Sequence, residues 1–340
     1  MTILRATILA SSLLGCGIAT ADPVADFYKG KTITILVPIG PGGTYDLYAR
    51  LGAEILQKHL PGKPQVITQL MTGGGGAGST NYLANRSPQD GTSLISLHGS
   101  APQNQVLGVT GVSYDLGKFL MVGQFSPLNS SLTVWRATAP ATTIEEAKKK
   151  EVVLGSTGAG SYQYQLPVLL NALIGTKIKV VLGYRGSAEI ALALQRGELD
   201  AMYVTDASAA NYEKGQQARV IGIGARKRSA LLPQVPTLYE ALKLTPEQEW
   251  WLDFRTDLNQ YGRVLLTMPG IPADRLAHLR AAIGKVLTDP AVIAEGAKTQ
   301  RFIEYRDAAT MQKLAQKLVG QLTPERKSQV REVVLKKFIN

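Results

Sequence analysis

One cysteine, three histidines and an aromatic content of 6% set the first limits on this 340-residue chain. The single cysteine, Cys16, falls in an N-terminal segment with the features of an export signal, so the mature chain is expected to hold neither disulfides nor thiolate metal sites. His59, His98 and His278 are scattered, which gives no metal-ligand spacing, and no metal or cofactor is expected. No G-x-S-x-G elbow and no G-x-x-x-x-G-K-[ST] loop occurs. No zinc-finger or RNA-binding motif accompanies the net charge of +11, and the Lys and Arg residues are spread out except at Lys148–Lys150 and Arg226–Arg228. This reads as a solvated basic surface rather than a nucleic-acid interface. The positive field would still help to collect an anionic ligand. No apolar run reaches the length needed to cross a bilayer.

The N-terminal segment has Arg5, the apolar run Ala6–Leu14 and the small-residue pattern Ala19-Thr20-Ala21. It reads as a cleavable signal peptide of residues 1–21, giving a periplasmic protein that starts at Asp22. Losing Arg5, the one charged residue in that segment, leaves a charge of +10. Leu13-Leu14-Gly15-Cys16 also resembles a lipoprotein box, with Cys16 as a lipid anchor. Bulky Leu14 and the well-placed Ala-Thr-Ala make simple cleavage the preferred reading.

What the chain does have is a repeated theme. The run Thr32–Val37 is apolar and β-branched, and Pro38 ends it. A turn rich in Gly and Pro follows, and a helical pattern of Leu47, Leu51, Ile55, Leu56 and Leu60 starts at Thr44. Such a turn presents bare backbone N–H groups at a helix N-terminus, a favourable place for a carboxylate or phosphate. Strands at 65–71, 92–97, 152–155, 177–182, 199–204 and 218–224 end in similar turns of Gly, Ser or Thr. Strands alternating with helices predict an α/β architecture whose ligands sit beyond the strand carboxyl ends. A strand pattern within 119–136 reads as a crossing into a second half, and the largely helical chain after Pro272 reads as a cover for the first.

Gly73, Gly75 and Gly78 match G-x-G-x-x-G between a strand and a helix. A dinucleotide site would also want an acid at the end of the next strand, which ends instead at His98. The run therefore reads as a tight positive-φ turn or a contact with a small anion or backbone. Asp46 reads first as a first-turn acid and Asp206 as a cleft candidate or a helix cap. An alternative is an exported hydrolase of a carboxylate ester or amide, with Ser100 or Ser161 as nucleophile and His98 as base. Turns rich in hydroxyls and backbone donors, with no evident base or nucleophile elsewhere, favour binding over catalysis.

The segments VPIGPGGTYDLYAR (37–50), GGGGAGSTNYLANRSPQDG (73–91), LGSTGAGS (154–161), YRGSAEIALALQRGELDAM (184–202) and RKRSALLPQVPTLYE (226–240) resemble, in order, the signature segments of the Bug-type receptors of tripartite tricarboxylate transporters. The resemblance runs from about Phe27 to at least Pro290. It implies a two-domain, type II Venus-flytrap periplasmic-binding-protein fold of α/β class, with mixed, mostly parallel sheets flanked by helices. The implied first domain is 22–125 plus 262–340 and the second is 126–261, with crossovers near 120–130 and 255–268. It also implies a small-carboxylate ligand, delivery to membrane transporter subunits and a monomeric receptor with no catalysis; use by a sensor kinase is a further possibility. Carried over by position, one jaw is Gly42, Gly43, Thr44 and Asp46, with Gly75 and Ser100 beside it. The other is Ser156, Thr157, Gly158, Gly160 and Ser161, completed by Tyr184, Arg185 and Asp206. The sequence departs from the pattern at Glu247–Gln260 (EQEWWLDFRTDLNQ) and at Tyr45. The added segment reads as a surface helix with Trp250, Trp251 and Phe254 packed down, and second as a cleft-edge or partner-contacting element.

Overall fold

The computed structural model describes residues 22–299, 301–320 and 323–333. The expected signal segment, with Cys16, lies outside the described residues. Among the described residues, ten strands form two five-stranded sheets. The first holds β1 (Thr32–Val37), β2 (Gln65–Leu70), β3 (Ser93–Leu97), β4 (Leu120–Gln124) and the late strand β10 (Val264–Thr267), in the order β2-β1-β3-β10-β4. The second holds β5 (Ser130–Trp135), β6 (Val152–Gly155), β7 (Ile178–Val181), β8 (Ala201–Thr205) and β9 (Ala218–Gly224), in the order β7-β6-β8-β5-β9.

The two-domain mixed α/β fold is as expected, but "mostly parallel" needs correction. Each sheet has two parallel pairings, and its other two pairings are antiparallel. The strand responsible in each case is one that carries the chain between the sheets. β5 enters the second sheet from the first, and β10 returns to lie antiparallel between β3 and β4. Single strands reaching directly across have no βα connection to turn them parallel. The central strands β3, β5 and β8 are buried along their whole length, as strands covered on both faces must be.

The chain leaves the first sheet through 125–129 and returns through 260–263. These two passages are bonded to each other. Phe125 N–H donates to Arg263 O at 3.1 Å and Leu128 N–H to Asn259 O at 3.3 Å. Gln124 Nε2 donates to both Gln260 O and Gly262 O at 2.7 Å. A side chain at Gly262 would meet Leu128 Cβ at 2.6 Å, so the passages can touch only because glycine stands there. The helices Ala273–Leu287 and Ala308–Gly320 pack on β4, covering the first sheet as the sequence suggested.

The added segment forms the helix Pro246–Asn259, started by a capping box between Thr245 and Gln248. Trp250 and Phe254 stack at 5.9 Å, and Trp251 is buried. Gln248 Nε2 reaches Leu173 O on the helix Tyr162–Ile174, which ties the added helix to the second sheet's layer. So far this matches the packed-helix reading. It misses one residue, Arg255, which the helix carries into the interior.

Candidate functional site

The strand ends of the two sheets face one another and touch. Gly40 N–H, beyond β1, donates to Arg185 O, beyond β7, at 2.7 Å. Asn104 Nδ2 donates to Gly160 O at 3.1 Å, and Gln165 Nε2 donates to Asn104 Oδ1 at 3.3 Å. The glycine run supplies the closest approach. Gly73, Gly74, Gly75 and Gly76 all have positive φ, and a Cβ on Gly75 would lie 2.8 Å from Gly160 C and 2.9 Å from Ser161 N. The run is thus both a left-handed turn and a backbone contact with the opposite jaw.

Along this seam lie three connected spaces. The innermost, about 10 Å³, is lined from one side by Ile39, Thr44, Tyr45 and His98 and from the other by residues that include Thr157 and Tyr162. Its volume is that of roughly one water. It shares Ile39 and Thr157 with a cleft of about 270 Å³, which also includes Gly75, Tyr184 and Arg185. It shares Thr44 and Ser208 with a second cleft of about 290 Å³, which includes Gly42, Gly43 and Asp46. The jaws are therefore in a closed arrangement.

The candidate residues separate into groups. Thr44 and Thr157 meet across the innermost space. Gly75, Tyr184 and Arg185 line one flank; Gly42, Gly43 and Asp46 line the other. Ser156 and Ser161 are fully buried and bonded to each other through their hydroxyls at 2.9 Å, while the Ser156 hydroxyl also lies 3.4 Å from Gly158 O. Gly160 holds Asn104 of the facing jaw. The two acids are already engaged. Asp46 accepts from Gly42 N–H at 3.2 Å and from Arg50 Nε at 3.0 Å. Asp206 accepts from Ser229 Oγ at 2.7 Å and lies 3.9 Å from Arg263 Nη2, with Thr205 rather than Asp206 capping the helix. Arg185 is paired with Glu189 on the surface.

The pair named for a hydrolase does not assemble as one. Nδ1 of His98 accepts the Ser100 backbone N–H at 3.3 Å, and Ser100 Oγ has no hydrogen-bond partner among the described residues. Ser161 Oγ is bonded to Ser156, not to His98. The imidazole lies between two rings, with centroids 5.1 Å from Tyr45 and 5.5 Å from Tyr162. Burial, reinforced by the nearby Arg255 charge, pulls its pKa down to about 3, so the ring is neutral.

Tyr45, one of the two departures from the family pattern, is a buried wall of the inner space. Its hydroxyl accepts the Gly99 N–H at 2.9 Å, and burial pushes its pKa up to about 12. Tyr162 in turn meets Tyr203 edge-on, with ring centroids 5.8 Å apart.

Sequence reasoning missed Asn104, Tyr162 and Arg255. Arg255 is 2% exposed, and Nε, Nη1 and Nη2 all lack a hydrogen-bond partner among the described residues. A signal was present: Trp251, Leu252, Arg255 and Leu258 share one face of an amphipathic helix, and an arginine on an apolar stripe is unusual.

Comparison with known proteins bears on the family and the fold. Protein BugT of Bordetella pertussis is 30% identical over 240 residues, covering 67% of this chain and 72% of that protein. A Rhodopseudomonas palustris protein solved with adipate superposes with a TM-score of 0.73 at 20% identity, covering 89% of this chain and 97% of the other. MatC from the same organism, solved with bound malate, gives 0.70 at 23% identity, covering 89% and 99%. At such identities the two structures bear on the fold alone. Residues 49–324 match the family described as "Tripartite tricarboxylate transporter family receptor". With a match over most of its length, the chain belongs to the tripartite tricarboxylate transporter receptor family.

Proposed function

We propose that the protein is a periplasmic solute receptor that closes two α/β domains, 22–125 plus 262–340 and 126–261, over a small carboxylate and presents the closed form to membrane transporter subunits. The observation that carries this is the shared inner space. Side chains from the strand ends of both sheets, Thr44 and His98 from one and Thr157 and Tyr162 from the other, line a single cavity. The inner space itself holds about one water, but a ligand lying in the seam across it and the flanking clefts of about 270 and 290 Å³ touches both domains at once. Only a ligand that binds the closed state better than the open one can drive closure. Backbone amides of the glycine turns and the hydroxyls of Thr44 and Thr157 suit carboxylate oxygens; Ser100, expected beside them, is fully buried and lines none of these spaces. The ligand class is proposed by analogy with the adipate and malate of the two R. palustris structures that share this fold. In this reading the receptor works as a monomer and without catalysis.

Purified protein is expected to gain thermal stability from at least one member of a panel of mono- and dicarboxylates, with the acid recovered intact. Steady conversion of the acid's esters or amides by the pure protein, abolished by His98→Ala, would overturn the reading in favour of a hydrolase.

A further inference from the structure

We propose that Arg255 is the fixed positive charge of the ligand site and receives a free carboxylate of the ligand. The inference rests on the receptor reading and narrows the ligand to an anion with a planar, two-oxygen head.

Burying an arginine with three unpaired nitrogens is costly, and proteins keep such a group only where something offsets the cost. No acid among the described residues forms an ion pair with Arg255. Asp253 on the same helix is taken by Arg226, and Asp206 faces Arg263. The groups within reach of the Arg255 charge are the phenols of Tyr203, Tyr45 and Tyr162 and the ring of His98. All four are uncharged near neutral pH. Three of them, Tyr45, His98 and Tyr162, line the inner cavity. Arg255 thus sits one layer behind the cavity wall.

That wall is divided between the two jaws. Tyr45 and His98 follow β1 and β3 of the first sheet, while Tyr162 begins the helix against which the added helix is tied. When the jaws part, the His98–Tyr162 stack is the contact that opens, and Arg255 stays with Tyr162. Arg255 lines none of the closed spaces itself; in the proposed opening of this stack the guanidinium fork turns toward the space between the jaws. Its donor geometry matches a carboxylate in bidentate contact. The flanking rings would bound the ligand's carbon skeleton.

The test uses the full mature chain and its Arg255→Met and Arg255→Lys variants. Each is melted alone and with malate, adipate and a panel of small mono- and dicarboxylates, each acid paired with its amide. The wild type is expected to be stabilised by an acid and not by its amide. Arg255→Met should melt at or above the wild-type temperature without ligand, since an unpaired buried charge is gone, and should bind that acid about a hundredfold more weakly. Arg255→Lys should keep part of the affinity, which covers the case in which the methionine variant does not fold. Equal binding by both variants, or a lower melting temperature with an unchanged ligand shift, would assign Arg255 a structural role and overturn the inference while leaving the receptor reading intact. No stabilisation of the wild type by any acid would overturn the receptor reading, and this inference with it.

Discussion

At the scale of single residues, the interior of the seam is governed by desolvation. His98 and Arg255 are both buried, and each has its charged form disfavoured by burial first. For His98 the consequence is a pH dependence of stability. Its folded pKa, about 3, lies below the ordinary value of 6.5, so between those values the unfolded chain binds the proton and the folded chain does not. The neutral ring costs nothing above pH 6.5, and stability falls as pH drops below it, by about 1.4 kcal/mol per pH unit. Urea melts at pH 7, 6 and 5 should show this slope in the wild type. In His98→Asn the slope between pH 6.5 and 5 should flatten; an unchanged slope would mean that His98 is not the group responsible.

At the scale of elements, the glycine turn before the helix Ala77–Arg86 contains its own control. Gly74 and Gly75 both have positive φ, but of the two only a Cβ on Gly75 would meet the opposite jaw's backbone. A Cβ on Gly74 would meet nothing closer than Ala77 Cβ at 3.6 Å. Gly74→Ala should therefore show only the cost of left-handed backbone, on the order of 1 kcal/mol in a denaturant melt. Gly75→Ala should show a similar loss in the absence of ligand and, in addition, weaken ligand binding, because the clash with Gly160 arises only in the closed form. Equal ligand affinities for the two variants in calorimetry would show that the turn does not take part in closure. The helix Pro246–Asn259 makes a related point. Its capping box and aromatic pair are local features, readable in the sequence, whereas the direction in which Arg255 points was fixed by what the helix packs against.

At the scale of the whole molecule, two bonded passages join the sheets at one side and a set of polar contacts closes them at the other. Asn104 bridges the seam through Gly160 O and Gln165 Nε2. Asn104→Ala removes bonds that exist only when the jaws meet. It should weaken ligand affinity by up to about tenfold, the worth of one ordinary buried hydrogen bond. The radius of gyration measured by X-ray scattering should shrink on adding ligand to the wild type, and the variant should need more ligand for the same change. Identical titrations of the two proteins would remove Asn104 from the closing contacts.

The sequence by itself determined the local pieces: strands of β-branched residues, helices with apolar stripes, glycine turns at strand ends and a family resemblance carried by five ordered segments. These depend on neighbours in the chain, through periodicity, caps and turn geometry. Thr44, Thr157, Gly75, Tyr184 and Arg185 were legible for that reason, since each follows a strand end. What only the tertiary structure decided depends on partners distant in sequence. Asp46 and Asp206 proved to be engaged by Gly42, Arg50, Ser229 and Arg263. The antiparallel strands came from the crossings between sheets. Arg255, read as part of a surface helix, became a buried cation beside Tyr45, His98 and Tyr162. Whether a charge is solvated, paired or held in reserve for a ligand is set by the groups that surround it in space, and all three of these neighbours lie more than ninety positions away along the chain.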